Sequence, residues 1–178
     1  MRAMVRSGIT SEAAWSVRSG SEAETIALGR QLGALLKAGD VVLLFAPFGA
    51  GKTHLTKGIA AALGVDQADV NSPSFVLINE YEADRAHGRI SIFHVDLYRI
   101  ETADELATVG LDDVLIGDGI AIVEWAEHAA EWSPREHLAI RIEHTGESER
   151  CIYFIPHGQR YRAIIEELRA ASSSLKTR

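Results

Sequence analysis

Apolar residues recur along this chain in two rhythms that alternate from segment to segment. Ile26, Leu28, Leu32, Leu35 and Leu36 return at helical spacing, which predicts a helix running up to Lys37. Ser21-Glu22-Ala23-Glu24 marks its start as a capping box, and Gly39 marks its end. Val41-Val42-Leu43-Leu44-Phe45 then forms an unbroken β-prone run, the pattern of a strand covered on both faces. A second helix is expected from Thr53 to about Leu63, closed by Gly64.

Phe75-Val76-Leu77-Ile78 and Ile90-Ser91-Ile92-Phe93-His94-Val95 read as further strands. Thr102-Ala103-Asp104-Glu105 is a second capping box, opening a short helix toward Val109-Gly110. Ile120-Ala121-Ile122-Val123 is a fourth apolar run. Leu138–Ile142 and Cys151–Ile155 flank the turn-rich Thr145-Gly146-Glu147-Ser148, so they read as an antiparallel hairpin. An amphipathic helix follows from Tyr161 to Ala171, and Trp15-Ser16-Val17 suits a short edge strand. The expected organisation is a flexible N-terminus over 1–14, one domain over 15–171 and a flexible tail over 172–178. Early alternation of strand and helix with a closing hairpin gives an α/β layer architecture with a mixed sheet.

Composition narrows the chemistry. A length of 178 residues fits one domain, and the single cysteine, Cys151, excludes an internal disulfide. No apolar run approaches the ~18 residues of a membrane span, and the first residues lack the apolar core of a signal peptide. A cytoplasmic protein is the expectation. The net charge of −7 and the absence of basic clusters argue against a free-standing nucleic-acid binder. The same charge repels nucleotides, so any phosphate site has to be built locally.

Phe48-Gly49-Ala50-Gly51-Lys52-Thr53 supplies such a site. It lies between a buried strand and a predicted helix, the context in which a Gly-x-Gly-Lys-Thr string forms a phosphate loop. Glycines let successive backbone N–H groups face one concavity, and the helix start adds its own unpaired N–H groups. His54 follows within the same turn. Lys52 would bridge the β- and γ-phosphates of ATP, and Thr53 would be a hard oxygen ligand for Mg²⁺. Ala46 stands where the full motif has its first glycine, which matters only if that position needs positive φ.

Mg²⁺ and an attacking water need carboxylates, and such proteins take them from neighbouring strand ends. Asp96 directly follows Ile92–Val95, and Glu124 directly follows Ile120–Val123. Sequence alone leaves open which of the two holds the metal. Asn71-Ser72-Pro73-Ser74 is either a plain Ser-Pro turn or a switch-like loop whose Ser72 and Ser74 hydroxyls sense phosphate or metal. The seven histidines show no metal-ligand spacing and are read as solvated or core residues. Cys151 lies in a strand pattern and is read as core.

Five stretches in order carry a resemblance. They are Gly49-Ala50-Gly51-Lys52-Thr53, Ser72-Pro73-Ser74-Phe75, His94-Val95-Asp96-Leu97-Tyr98-Arg99, Glu105-Leu106 with Gly110-Leu111, and Val123-Glu124-Trp125-Ala126-Glu127. Together they resemble the bacterial TsaE (YjeE) family, the small ATPase of tRNA threonylcarbamoyladenosine biosynthesis. The resemblance implies a three-layer P-loop NTPase-type fold and ATP hydrolysis that is weak alone and stimulated by the partners TsaB and TsaD. It implies that tRNA is met only through those partners. It assigns phosphate and metal roles to Lys52 and Thr53, the acidic metal role to Glu124 and the catalytic role to Asp96. It also suggests that Ser21-Glu22 border the adenine. Ser74 replaces the family's usual threonine and keeps the hydroxyl.

Two other function classes compete. A small-molecule or nucleotide kinase shares the loop and the size, but needs clustered arginines on a lid, and only Arg160 and Arg162 lie close together here. A nucleotide-dependent scaffold would bind ATP without hydrolysing it. No Asn-Lys-x-Asp string is present to read guanine.

Overall fold

The computed structural model describes residues 15–85 and 88–175. The stretch 1–14, expected to be flexible, lies outside those residues. Elements follow in the order β1 (Trp15–Ser19), α1 (Glu22–Leu35), β2 (Val41–Phe45), α2 (Lys52–Ala62), β3 (Ile78–Arg85), β4 (Gly88–Asp96), α3 (Ala103–Thr108), α4 (Leu111–Ile116), β5 (Ile120–Glu124), a 3₁₀ segment (Ala126–Trp132), β6 (His137–His144), β7 (Arg150–His157) and α5 (Gln159–Leu175). The strands form one sheet in the order β1-β7-β6-β2-β5-β4-β3. The four central strands run parallel, and β3, β7 and β1 join antiparallel at the edges.

The continuous apolar runs are those buried on both faces. Val42, Leu44, Ile92, Ile122, Leu138 and Ile140 face a core shared with α1, α2 and α5. Val41, Leu43, Val95, Ala121 and Val123 face a second core with Leu106, Leu111 and Ala126. The period-2 alternation of strand side chains produces this split. The result is a three-layer α/β fold, and burying each Leu or Ile contributes roughly 1.5–3 kcal/mol to it.

Helices α1 and α2 cross at very short range. A Cβ on Gly58 would stand 2.1 Å from the Ile26 carbonyl oxygen, and one on Gly29 would stand 2.3 Å from that of Leu55. This contact fixes the start of α2, and therefore the loop before it, against the start of α1.

Two segments differ from the reading of the sequence. Phe75, Val76 and Leu77 are not strand. The Pro73 carbonyl accepts from the amides of both Val76 and Leu77, at 3.0 and 2.7 Å, and this turn leaves Phe75 and Val76 exposed. Leu77 takes φ 69° to leave it, and β3 begins only at Ile78. The C-terminal helix starts at Gln159 and continues to Leu175, so 172–175 are helical rather than a loose tail. Ser172 ties to α1, its Oγ bonding Gln31 Oε1 at 3.2 Å. Residues 176–178 lie outside the described residues. Neither α4 nor the 3₁₀ segment was expected, being only one or two turns long.

Candidate nucleotide-binding site

The loop between β2 and α2 turns on glycine backbone that side chains rarely adopt. Gly49 has φ 75° and Gly51 has φ 104°, and Gly51 is the N-cap of α2 without a side-chain cap. The N–H groups of the first helical turn are therefore free to meet an anion. Ala46 is not among the residues of positive φ, so alanine sits at the first motif position without strain.

Lys52 is 5% exposed, and its Nζ donates to the carbonyls of Ala46 at 2.8 Å and Pro47 at 3.0 Å. The ammonium also lies 3.8 Å from the centre of the Trp125 ring, a cation–π contact. Burial holds its pKa below the ordinary lysine value, against the opposing pull of Glu124, Glu127 and Asp96.

The two acids expected from the strand ends are direct cross-strand neighbours, Asp96 pairing with Glu124 in the β4–β5 register. Glu124 is 1% exposed and collects donors. Thr53 Oγ1 reaches its two oxygens at 3.1 and 3.2 Å, Thr56 Oγ1 lies 3.4 Å from Oε1, and His94 Nε2 donates to Oε1 at 2.8 Å. Asp96 is organised by the 71–77 loop. Its Oδ2 accepts from Ser72 and from Ser74, the latter at 3.0 Å, and its Oδ1 caps the Tyr98 amide at 2.9 Å.

These groups line one cleft of about 370 Å³. Its walls include Phe48, Gly49, Gly51, Lys52, Thr53, His54, Ser72, Ser74, Asp96 and Glu124, all singled out from the sequence, together with Tyr98 and Trp125. Ala50 is buried beneath the loop. Ser21 and Glu22 are not in the wall. Ser21 instead caps α1 by accepting from the Glu24 amide at 3.1 Å, and Glu22 lies 3.5 Å from His54 Nε2. Thr53 and Glu124 offer hard oxygens of the kind Mg²⁺ takes, and they are too few to bind it without phosphate and water. Among the described residues no set of three His, Cys, Asp or Glu converges on a metal position.

With this geometry in place, similarity to known proteins is informative. Residues 19–152 match the family described as "Threonylcarbamoyl adenosine biosynthesis protein TsaE". The chain belongs to the TsaE family. A relative from Bacillus subtilis (strain 168), named tRNA threonylcarbamoyladenosine biosynthesis protein TsaE, is 43% identical over 145 residues, covering 82% of this chain and 87% of its own. A relative of the same name from Mycobacterium tuberculosis (strain ATCC 25618 / H37Rv) is 42% identical over 135 residues, or 72% and 79% of the two chains. The crystal structure of Bacillus subtilis YdiB superposes with a TM-score of 0.73 at 36% identity, covering 89% of this chain and 95% of that one. The fold seen here is the P-loop fold of that TsaE-family structure.

Several residues of this TsaE-family site escaped the reading of the sequence. His94, read from the sequence as solvated or core, is buried, and standing two positions before Asp96 it shares that residue's strand face and reaches Glu124. That spacing was a usable signal. Thr56, one turn after Lys52, carried none. Trp125 packs over Lys52 and lies 5.0 Å from Tyr98, between ring centres.

Proposed function

We propose that this member of the TsaE family binds Mg²⁺-ATP on Gly49–Thr53 and hydrolyses it weakly alone. TsaB and TsaD, the partners implied by the resemblance, raise that rate, and the chain regulates or resets their threonylcarbamoyladenosine synthesis at tRNA position 37. It meets tRNA only through them, in the cytoplasm. The observation that carries this reading is the convergence of Lys52, Thr53, Asp96 and Glu124 in one cleft at the ends of paired strands.

Each side chain has a part. The loop amides and Lys52 hold the phosphates. Thr53 and Glu124 hold Mg²⁺, which supplies charge neutralisation on the phosphates. Glu124 is kept in place by His94 and Thr56. Asp96, fixed by Ser72, Ser74 and the Tyr98 amide, orients the attacking water. Tying the catalytic acid to a loop with exposed Phe75 and Val76 gives hydrolysis a point of outside control.

Phosphate release from ATP, measured for the chain alone and with TsaB and TsaD added, tests the reading. Slow release that rises with both partners supports it. Absence of release under either condition leaves a scaffold. Transfer of the γ-phosphoryl group to an acceptor, seen by ³¹P spectroscopy, would make it a kinase.

A further inference from the structure

Arg150 opens β7 and is only 6% exposed. Its Nη1 donates to Thr25 Oγ1 at 3.2 Å and its Nη2 to the Ser148 carbonyl at 3.1 Å. Its buried Nε has no hydrogen-bond partner. No carboxylate pairs with it among the described residues. Thr25 supplies no negative charge, and its hydroxyl is itself shared with Ser19 Oγ at 2.8 Å and the Ser21 carbonyl at 3.1 Å.

A guanidinium stays charged at any physiological pH. Burying it without a counter-charge costs several kcal/mol. An anionic ligand beside it would supply the missing counter-charge. The position names the ligand. A Cβ on Gly51 would stand 2.8 Å from Arg150 Nη1, so the guanidinium presses on the phosphate loop at the residue before Lys52. In the sheet, β7 lies on one side of β2, while β5 and β4, which carry Glu124 and Asp96, lie on the other. Arg150 therefore flanks the loop from the side of α1, away from the proposed metal.

We propose that Arg150 is a nucleotide-binding residue, its guanidinium pairing with the diphosphate portion that ATP and ADP share. The proposal rests on the ATP-binding reading of the loop and extends it. A phosphate chain laid over Gly51 then lies between two cations, Lys52 toward the carboxylates and Arg150 toward α1. This also gives Gly51 a second constraint beyond its φ. Any side chain there would displace the guanidinium.

A purely structural role, in which Arg150 merely straps the 144–150 turn to α1, makes different predictions. Calorimetry with ATP and with ADP on the wild type, Arg150→Met and Arg150→Lys separates the two. Loss of a charge-assisted contact predicts about 10- to 100-fold weaker binding of both nucleotides by the Met variant, in the same proportion, with the Lys variant between. Circular dichroism confirms the fold of each variant. Independently, the Hε–Nε resonance of Arg150 in the wild type, assigned by its absence from the Lys variant, is expected to shift on saturation with ADP. A folded Met variant with wild-type ADP affinity, or a resonance unmoved in ADP-saturated protein, overturns the proposal. If the Met variant does not fold, the wild-type resonance decides. Wild-type protein that binds neither nucleotide would overturn the reading of the loop itself, whereas failure of the Arg150 tests alone leaves that reading standing.

Discussion

His94 Nε2 lies 2.8 Å from Glu124 Oε1, with both side chains sealed from solvent at the end of the central strands. The neighbouring Nδ1 is buried without a partner. The carboxylate accepts, so Nε2 carries the proton and the ring acts as a fixed donor to the acid proposed to hold the metal. Replacing His94 by Phe leaves a buried carboxylate one donor short and should cost about 1–3 kcal/mol of stability. Glutamine, whose amide can reach the same oxygen, should recover part of it. Urea denaturation of the three proteins measures the difference, and equal stabilities would show that the contact contributes nothing.

Lys52→Ala should abolish ATP binding with the fold retained. Its bonds to the Ala46 and Pro47 carbonyls are local to the loop, and the sheet does not depend on them. Calorimetry reads the loss and circular dichroism the fold. Unchanged ATP affinity would mean that the lysine does not face the phosphates.

Asp96→Ala should bind ATP nearly normally and hydrolyse it about 100-fold or more slowly, the scale on which a positioned proton acceptor acts. Its carboxylate also anchors Ser72 and Ser74, so the 71–77 loop should become more susceptible to proteolysis in the same variant. Wild-type turnover would reduce Asp96 to a cap for the Tyr98 amide. Glu124→Gln should also stop steady phosphate release.

Gly58→Ala tests the helix crossing that seats the loop. The added methyl would meet the Ile26 carbonyl at 2.1 Å, with Gly29 Cα at 2.9 Å. Both are backbone atoms that cannot turn aside, so the helices must part. A loss of about 1–3 kcal/mol or more is expected, with weakened ATP binding as the loop shifts. Thermal unfolding and calorimetry check the two effects.

His137 is 8% exposed and stacks on His157 with ring centres 4.2 Å apart. Burial pushes its pKa below the ordinary value of 6.5, opposed by the Pro134 carbonyl and assisted by His157. The unfolded chain therefore takes up the proton more readily than the fold does. The stability held by neutral His137 is complete above pH about 6.5 and declines as the pH falls through and below that value. Denaturation at pH 7.5 and 5.5 should show a smaller pH-dependent loss for His137→Phe than for the wild type.

The elements that were legible in the sequence are those whose signal is local. Ser21 and Thr102 cap their helices as expected, the full capping box forming at Thr102 while Glu24 accepts from the Gly20 amide instead of that of Ser21. Val41–Leu44 and Ile120–Glu124 are buried as their apolar runs imply. That the loop, Asp96 and Glu124 meet in one cleft was readable because both acids directly follow apolar runs that become neighbouring strands. Phe75–Leu77 misled because apolar β-prone residues there are overruled by a turn that one proline carbonyl closes. Arg150 and Thr56 were invisible because their meaning comes from long-range packing. Arg150 meets the loop only where β7 is laid beside β6 and α1, 125 residues from Thr25.

The most direct test is a crystal structure of the chain with Mg²⁺ and a non-hydrolysable ATP analogue. The triphosphate should lie on the amides of Gly49–Thr53, with Lys52 Nζ turned from the Ala46 and Pro47 carbonyls onto phosphate oxygens and the metal beside Thr53 and Glu124. A triphosphate bound elsewhere, with Lys52 still on its own loop carbonyls, would contradict the account.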